Sequence, residues 1–313
     1  TLTGMDRRLI NVAHSRRGTF STADAGRCGV DPQMVEAAIQ RLEVVRVRRG
    51  AFVLREVWES ASREERHVLR LCAILRSRPR DAASHHSALL LAGLPVWDVD
   101  LDLATTVGPV SAPIRRSGLR VVPAPCTERL LISGFPALPE SVALVQLAAS
   151  SGVTSAVCSM DAALHAKLCT AQTLTSAINL LPQRHRKRAR TALLATDAAC
   201  ESVGESRTRL LLTDLGYAVR SQVSVLDGVR LGARLDFLVE GVVIVEFDGL
   251  TKYAGQDGRE ALAAEKARES RLTAMGFEIV RIIWADLDDP AAIDRRIRIA
   301  RQVALQRRRA VRG

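Results

Sequence analysis

The chain has no histidine beyond His185; all six, at 14, 67, 85, 86, 165 and 185, lie in its earlier part. That excludes a His-based nuclease, a zinc hydrolase or a Ser-His-Asp triad confined to the last third, where chemistry must run on carboxylates, lysine and metal. The six cysteines (28, 72, 126, 158, 169 and 200) form no C-x-x-C pair, which argues against a zinc finger and a disulfide framework. They suit small buried hydrophobes in a reducing cytoplasm. No run approaches the roughly 20 apolar residues of a membrane span. The opening Thr-Leu-Thr-Gly-Met-Asp-Arg-Arg lacks the apolar core of a signal peptide. The expectation is a cytoplasmic protein with no membrane partner.

What the chain does have is core material and positive charge. Its 313 residues are 47% hydrophobic, enough for folded cores, and the length suits two or three domains. Lysine and arginine number 45 against 34 acidic residues, a formal charge of +11. A surplus of that size suits a polyanion, because each neutralised phosphate releases counterions. The competing reading is an Arg-rich surface of no special purpose. Charge and motifs together favour nucleic acid, DNA ahead of RNA.

Residues 1–56 read as a winged helix-turn-helix. Leu9, Ile10, Val12 and Ala13 give a first helix its apolar face, and Ser21 or Thr22 suits the cap of a second. Asp31-Pro32 starts a third, with Val35, Ala38, Ile39 and Leu42 at helical spacing. Val44–Leu54 alternates about Arg49-Gly50, as a hairpin does. The outer face of the third helix (Gln33, Glu36, Gln40, Arg41) and the wing arginines Arg46, Arg48 and Arg49 are the candidate DNA contacts, although Glu36 is an awkward neighbour for phosphate. A winged helix used only for protein contacts is the alternative.

Residues 57–195 read as a mixed α/β middle region. It holds a helix from Ser62 to about Arg76, a capped helix over Ser84–Gly93, short strands between Val96 and Val122, and helices from Glu140 to Leu181. Paired His85 and His86 face different ways on a helix and find no partner ligand, so they read as helix-start structure. The basic run Arg184–Arg190 is either a solvated helix face or a clamp on a nucleic-acid backbone.

Residues 196–313 give the order α-β-β-β-α-β, a small sheet flanked by helices. Within it, 233–249 sets Asp236, Glu246 and Asp248 among Val, Ile, Leu and Phe, where an uncompensated carboxylate is costly. Acids persist in such places when a cation or a reaction holds them, so the expectation is a Mg²⁺ (or Mn²⁺) site. A three-residue loop at 240–242 sets Asp236 opposite Glu246, with Asp248 on the same face; a two-residue turn breaks the site. Glu201 and Glu205, four apart on the preceding helix, lie on one face, and either could complete the cluster.

Glu205, Arg234-Leu-Asp236-Phe, Val245-Glu246-Phe-Asp248-Gly249, Glu265-x-x-Arg268-x-x-x-Leu272 and Gly276–Arg281 together resemble the endonuclease-like domain related to very-short-patch repair nucleases, in the PD-(D/E)XK superfamily. The winged helix and Ser84-His-His-Ser-Ala resemble actinobacterial proteins carrying an AbiEi-type antitoxin domain. The first resemblance implies a restriction-endonuclease-like fold, with Asp236 and Glu246 as metal ligands and Glu205 as an additional acid. The sequence departs from that pattern where a lysine is expected: Asp248 stands there, and Lys252 lies in the following loop. Lys252 would steady charge on phosphate, Asp248 and Glu205 would tune the metal, and Lys266 and Arg268 would contact the DNA backbone or pair with the acids.

The whole is an α+β multi-domain protein: winged helix (1–56), AbiEi-like middle domain (57–195) and endonuclease-like domain (196–313). The functional expectation is a DNA-binding, Mg²⁺-dependent endonuclease. The alternative is a non-catalytic transcriptional repressor of the antitoxin class with a degenerate nuclease fold, its acids kept as ion pairs to Arg234, Lys266 or Arg268. A third reading is an RNA-processing nuclease.

Overall fold

The computed structural model describes residues 6–227, 230–249 and 258–312. The chain divides into two compact units. One is formed by residues up to Ser159 with Lys167–Leu194, the other by Met160–Ala166 with residues from Ala195 onward.

The first unit opens with helix α1 (Arg7–His14), strand β1 (Thr19–Ser21), helix α2 (Thr22–Arg27) and helix α3 (Pro32–Gln40). The hairpin β2 (Val44–Arg48) and β3 (Ala51–Leu54) follows. Each helix start has a chemical cause: the Asp6 and Asp31 side chains accept the Arg8 and Met34 N–H groups, and Ser21 and Asp24 cap each other reciprocally. The strands form an antiparallel sheet in the order β1-β3-β2. Leu9, Phe20, Val44, Phe52 and Leu54 are buried beneath it, with the Phe20 and Phe52 rings stacked at 5.1 Å. The order of helices and wing is the one expected. Strand β1 is an addition, three residues too short to show an alternation.

Helices α4 (Arg55–Ser60) and α5 (Arg63–Ser77), the latter started by a Ser62–Glu65 capping box, lead to strand β4 (Ala82–Ala83) and helix α6 (His85–Leu91). Strands β5 (Ala104–Gly108), β6 (Ile114–Arg116), β7 (Leu119–Pro123), β8 (Leu130–Ile132) and β9 (Phe135–Ala137) join β4 in a sheet of order β6-β7-β5-β4-β9-β8. Helices α7 (Glu140–Ser151), α8 (Val153–His165), α9 (Ala171–Ile178) and α10 (Gln183–Leu194) follow. The basic run falls on α10, with Ala189 and Ala192 buried. There Arg186 donates to the carbonyls of Leu181 and Asn179, and Arg188 to that of Ala149.

The second unit contains α11 (Val203–Asp214), β10 (Val219–Asp227), β11 (Arg230–Val239), β12 (Val243–Phe247), α12 (Gly258–Ala274) and β13 (Glu278–Ile282). A 3₁₀ turn (Trp284–Asp288) and α13 (Pro290–Arg312) complete it. The sheet runs β10-β11-β12-β13, with only the last pair parallel. Leu212 of α11 and Ile293 and Ile297 of α13 bury against Phe237, Val243 and Val245; Leu272 of α12 packs with Leu235 and Ile244. The alternation of Val243, Ile244 and Val245 between two cores explains why β12 is apolar throughout. Gly204 lets α11 sit close to the sheet: a Cβ there would collide with the Phe247 ring.

Candidate functional site

Two groups of side chains stand out, one in each unit. In the first, burial of Val35 and Ala38 leaves Gln33, Glu36, Gln40 and Arg41 exposed on the other face of α3. Arg41 pairs with Glu43 at 3.1 Å, and Arg46 of the wing pairs with Glu36. The acid that is a poor neighbour for phosphate is therefore neutralised across the gap between α3 and the wing.

Arg46 and Arg48 do not share one face of the wing. A β-bulge between Arg46 and Arg48 adds Val47 to the strand, so Arg46 stands opposite Phe52 and Arg48 opposite Ala51. Without the bulge the two would share a face; with it they part. Arg48 donates to the carbonyls of Arg116 (2.6 Å) and Ser117 (2.8 Å), while Arg49 at the turn is exposed.

In the second unit, β11 and β12 pair as Phe237–Val245, Leu238–Ile244 and Val239–Val243, around a turn in which Glu240 and Gly241 take positive φ. Continuing that register by one residue sets Asp236 opposite Glu246, as a three-residue loop requires. Asp236 Oδ2 accepts the Phe247 N–H at 2.9 Å. Its carboxyl is pushed up to about 6: burial is the main cause, and Glu205 and Glu246 add like charge against the opposing Phe247 hydrogen bond and Arg268.

Glu246 has a different partner. Arg268 of α12 reaches both its oxygens, at 2.7 and 2.9 Å, and also holds Glu265. Arg281 of β13 lies 3.8 Å from Glu246, bonds Glu265 and reaches Glu269 at 2.7 Å. Glu205 accepts from the Glu201 N–H (3.0 Å), Ser202 Oγ (2.8 Å) and Gln222 (3.0 Å), which ties it to the start of α11. Asp248 is half-buried, its N–H donating to Ile282 O at 2.8 Å. Lys266 is exposed on α12, Glu201 pairs with Arg234, and Lys252 lies outside the described residues.

The structure thus brings Asp236, Glu246 and Arg268 together, with Glu205 in electrostatic range. Among the described residues no three His, Cys, Asp or Glu side chains gather in a way that could hold a metal ion. As arranged, the donor set fits a guanidinium rather than a divalent ion, because Arg268 holds both oxygens of Glu246. The sequence pattern marks Arg268 as a possible pair for the acids and gives no role to Arg281. The Glu265-x-x-Arg268 spacing on one helix face was the available signal.

His85 and His86 are buried, and His86 Nε2 meets the Leu103 carbonyl at 3.0 Å, a structural role as expected. Less foreseeable is His67, held between the Leu101 carbonyl and Ser87 Oγ, each at 2.8 Å.

Elements α1 to β3 form the head of the first unit. Residues 7–55 match the family described as "Transcriptional regulator, AbiEi antitoxin". They form an AbiEi antitoxin-like region. The match spans α1 to β3, ending where α4 begins. Among solved structures, the RV2827C protein from Mycobacterium tuberculosis is similar at 19% identity, over 65% of this chain and 79% of that one, with a TM-score of 0.38. No curated protein matches.

Proposed function

We propose that the protein is a DNA-binding transcriptional regulator whose AbiEi-like head docks α3 against the duplex, with Gln33, Gln40, Arg41, Arg46 and Arg49 facing the nucleic acid. The observation that carries this reading is the exposed polar face of α3 beside an arginine-bearing wing, within the segment that matches a transcriptional-regulator family. The surplus of positive charge supports a polyanionic partner. Gln and Arg side chains suit base edges in the major groove, and the wing suits backbone phosphate.

The test is selection of binding sites from random duplexes with the full chain, followed by fluorescence anisotropy. Enrichment of a motif, with Gln40→Ala relaxing sequence preference and Arg49→Ala weakening all sequences alike, supports the reading. Recovery of no motif, or binding indifferent to both changes, removes it.

A second reading, phosphodiester hydrolysis by the second unit, is favoured by the closeness of Asp236 and Glu246, which add like charge to each other beside the β11–β12 register. It requires Arg268 to leave Glu246 before Mg²⁺ or Mn²⁺ could enter, and Lys252, Asp248 and Glu205 would then take the supporting roles. Nicking of supercoiled plasmid that Asp236→Ala and Glu246→Ala both abolish supports it. Absence of cleavage leaves the carboxylates as an internal ion-pair network within a regulator.

A further inference from the structure

A recess of about 830 Å³ lies within the first unit. Its walls are the wing turn (Arg48, Arg49, Gly50), the start of α2, the end of α5 with the following Arg78-Pro79, and the β8–β9 turn. Five arginines line it: Arg27, Arg48, Arg49, Arg76 and Arg78.

The carboxylates that offset this charge sit behind the wall. Asp24 is 1% exposed and Asp81 is 3% exposed. Asp24 receives Arg27 and two nitrogens of Arg76; Asp81 receives two nitrogens of Arg78, at 2.6 and 3.2 Å, and the Thr106 hydroxyl at 3.0 Å. Each buried acid thus orients an arginine while leaving part of its guanidinium uncommitted, the way a supporting shell fixes a binding group.

Arg48 and Arg49 differ from these. Among the described residues neither has a carboxylate within ion-pair distance. Arg48 bonds only neutral carbonyls, and its neighbours Arg78 and Arg116 repel it. Burial and that like charge both weaken its hold on its proton. An array of oriented and uncompensated guanidinium groups in a concave site is suited to a multiply charged anion, and arginine forks match phosphate. The size is within the range of small-molecule sites, and Pro79 and Pro136 supply apolar lining.

We propose that this recess binds a small organic phosphate of nucleotide size, its phosphate groups held by Arg48, Arg49, Arg76 and Arg78 and its apolar body against Pro79 and Pro136. The Thr22 N–H donates to the Gly50 carbonyl at 3.2 Å, so the wing turn is already fastened to the start of α2. An occupant would add a charged link from that turn to the end of α5. If the head binds DNA as proposed above, the ligand and DNA would then alter each other's affinity reciprocally.

The test is isothermal titration calorimetry of the full chain with ATP and with inorganic pyrophosphate, repeated in Arg49→Glu, Arg48→Gln and, as a distant exposed control, Arg63→Gln. The expected result is saturable binding at one site per chain, weakened about tenfold by either recess substitution and unchanged in the control. Arg49 is exposed and has no ion-pair partner among the described residues, so Arg49→Glu tests the site without burdening the fold. No saturable binding of either probe up to roughly 5 mM overturns the proposal. So does equal weakening by all three substitutions, which would mark diffuse charge attraction.

A third arm separates the two sources of phosphate. ATP bound together with a random-sequence duplex supports a separate ligand site. Stoichiometric displacement of ATP by the duplex, with Arg48→Gln weakening both alike, makes the recess a contact for DNA backbone and overturns the small-molecule reading.

Discussion

Arg268 donates through one nitrogen to both oxygens of Glu246, at 2.7 and 2.9 Å. That guanidinium stands where a pair of facing carboxylates would otherwise demand a cation. Asp236, on the neighbouring strand, accepts the Phe247 N–H, and its carboxyl is raised to about 6.

The titration of Asp236 has a definite sign. Its folded pKa of about 6 lies above the unfolded value of roughly 3.9, so the folded state binds the extra proton between them. Stability from this group is present below pH ~4 and falls as pH rises through ~6. Asp236→Asn should therefore stabilise the protein at pH 8 by about 1 kcal/mol, after allowance for partial solvent screening, and little at pH 4. Urea melts at the two pH values check this. Arg268→Ala should move the Asp236 midpoint further up, because a favourable positive charge is lost; carboxyl carbon NMR reads that shift.

Asp24 shows the opposite case. Burial alone would raise its carboxyl, but hydrogen bonds from Arg76, the Ser21 backbone and hydroxyl, and Arg27 hold it at about 2. Arg76→Ala should destabilise by about 3 kcal/mol or more, since it removes the main partner of a buried charge. Arg27→Ala should cost under about 1 kcal/mol, because that side chain is 70% exposed. Thermal melts of both variants decide it; equal losses would contradict the argument.

His67 is locked in one tautomer. Nδ1–H donates to the Leu101 carbonyl, which can only accept, so Nε2 accepts from Ser87, whose oxygen in turn accepts the Thr105 N–H at 2.8 Å. Ser87→Ala leaves two buried groups unsatisfied and should cost about 2–4 kcal/mol. Burial, then His86, lowers the His67 pKa to about 3, so the folded imidazole stays neutral. This contribution is full above pH ~6.5 and declines as pH falls below it, because the unfolded imidazole takes the proton first. Calorimetric Tm values from pH 8 to pH 4 should show the decline, reduced in His67→Phe.

The pair between Glu36 and Arg46 restrains the proposed DNA surface. Glu36→Gln removes a negative charge and frees Arg46 for phosphate. Duplex affinity should rise several-fold, and the salt dependence should steepen by about one phosphate contact. Anisotropy titrations at several salt concentrations check both. Unchanged affinity and slope would place α3 away from the nucleic acid.

Much of this was legible wherever one residue dictates local geometry. Asp31-Pro32 and Ser62 started helices as their chemistry requires, and the 240–242 loop fixed the register that pairs Val239 with Val243 and Phe237 with Val245. Short or irregular features were not legible. Strand β1 has too few residues for a period, and the two-residue β4 forms only because its neighbours pair with it. The bulge at Val47 has no composition signal, so Arg46 and Arg48 looked equivalent although they part company. The closing of Glu246 by Arg268 depends on how α12 packs on β13, which the spacing of charges along a helix suggests but does not determine.

The bond between Asp24 and Arg76 carries one more consequence. The AbiEi-like segment ends at residue 55, yet the less exposed of the two arginines that pair with its buried Asp24 lies on α5. The head is consequently no portable cassette. Cut out at the family boundary, or grafted onto another body, it would keep only the exposed Arg27 as a charged partner for Asp24. Inheritance of residue 24 and residue 76 is thereby linked, and the smallest transplantable piece must extend at least through the end of α5.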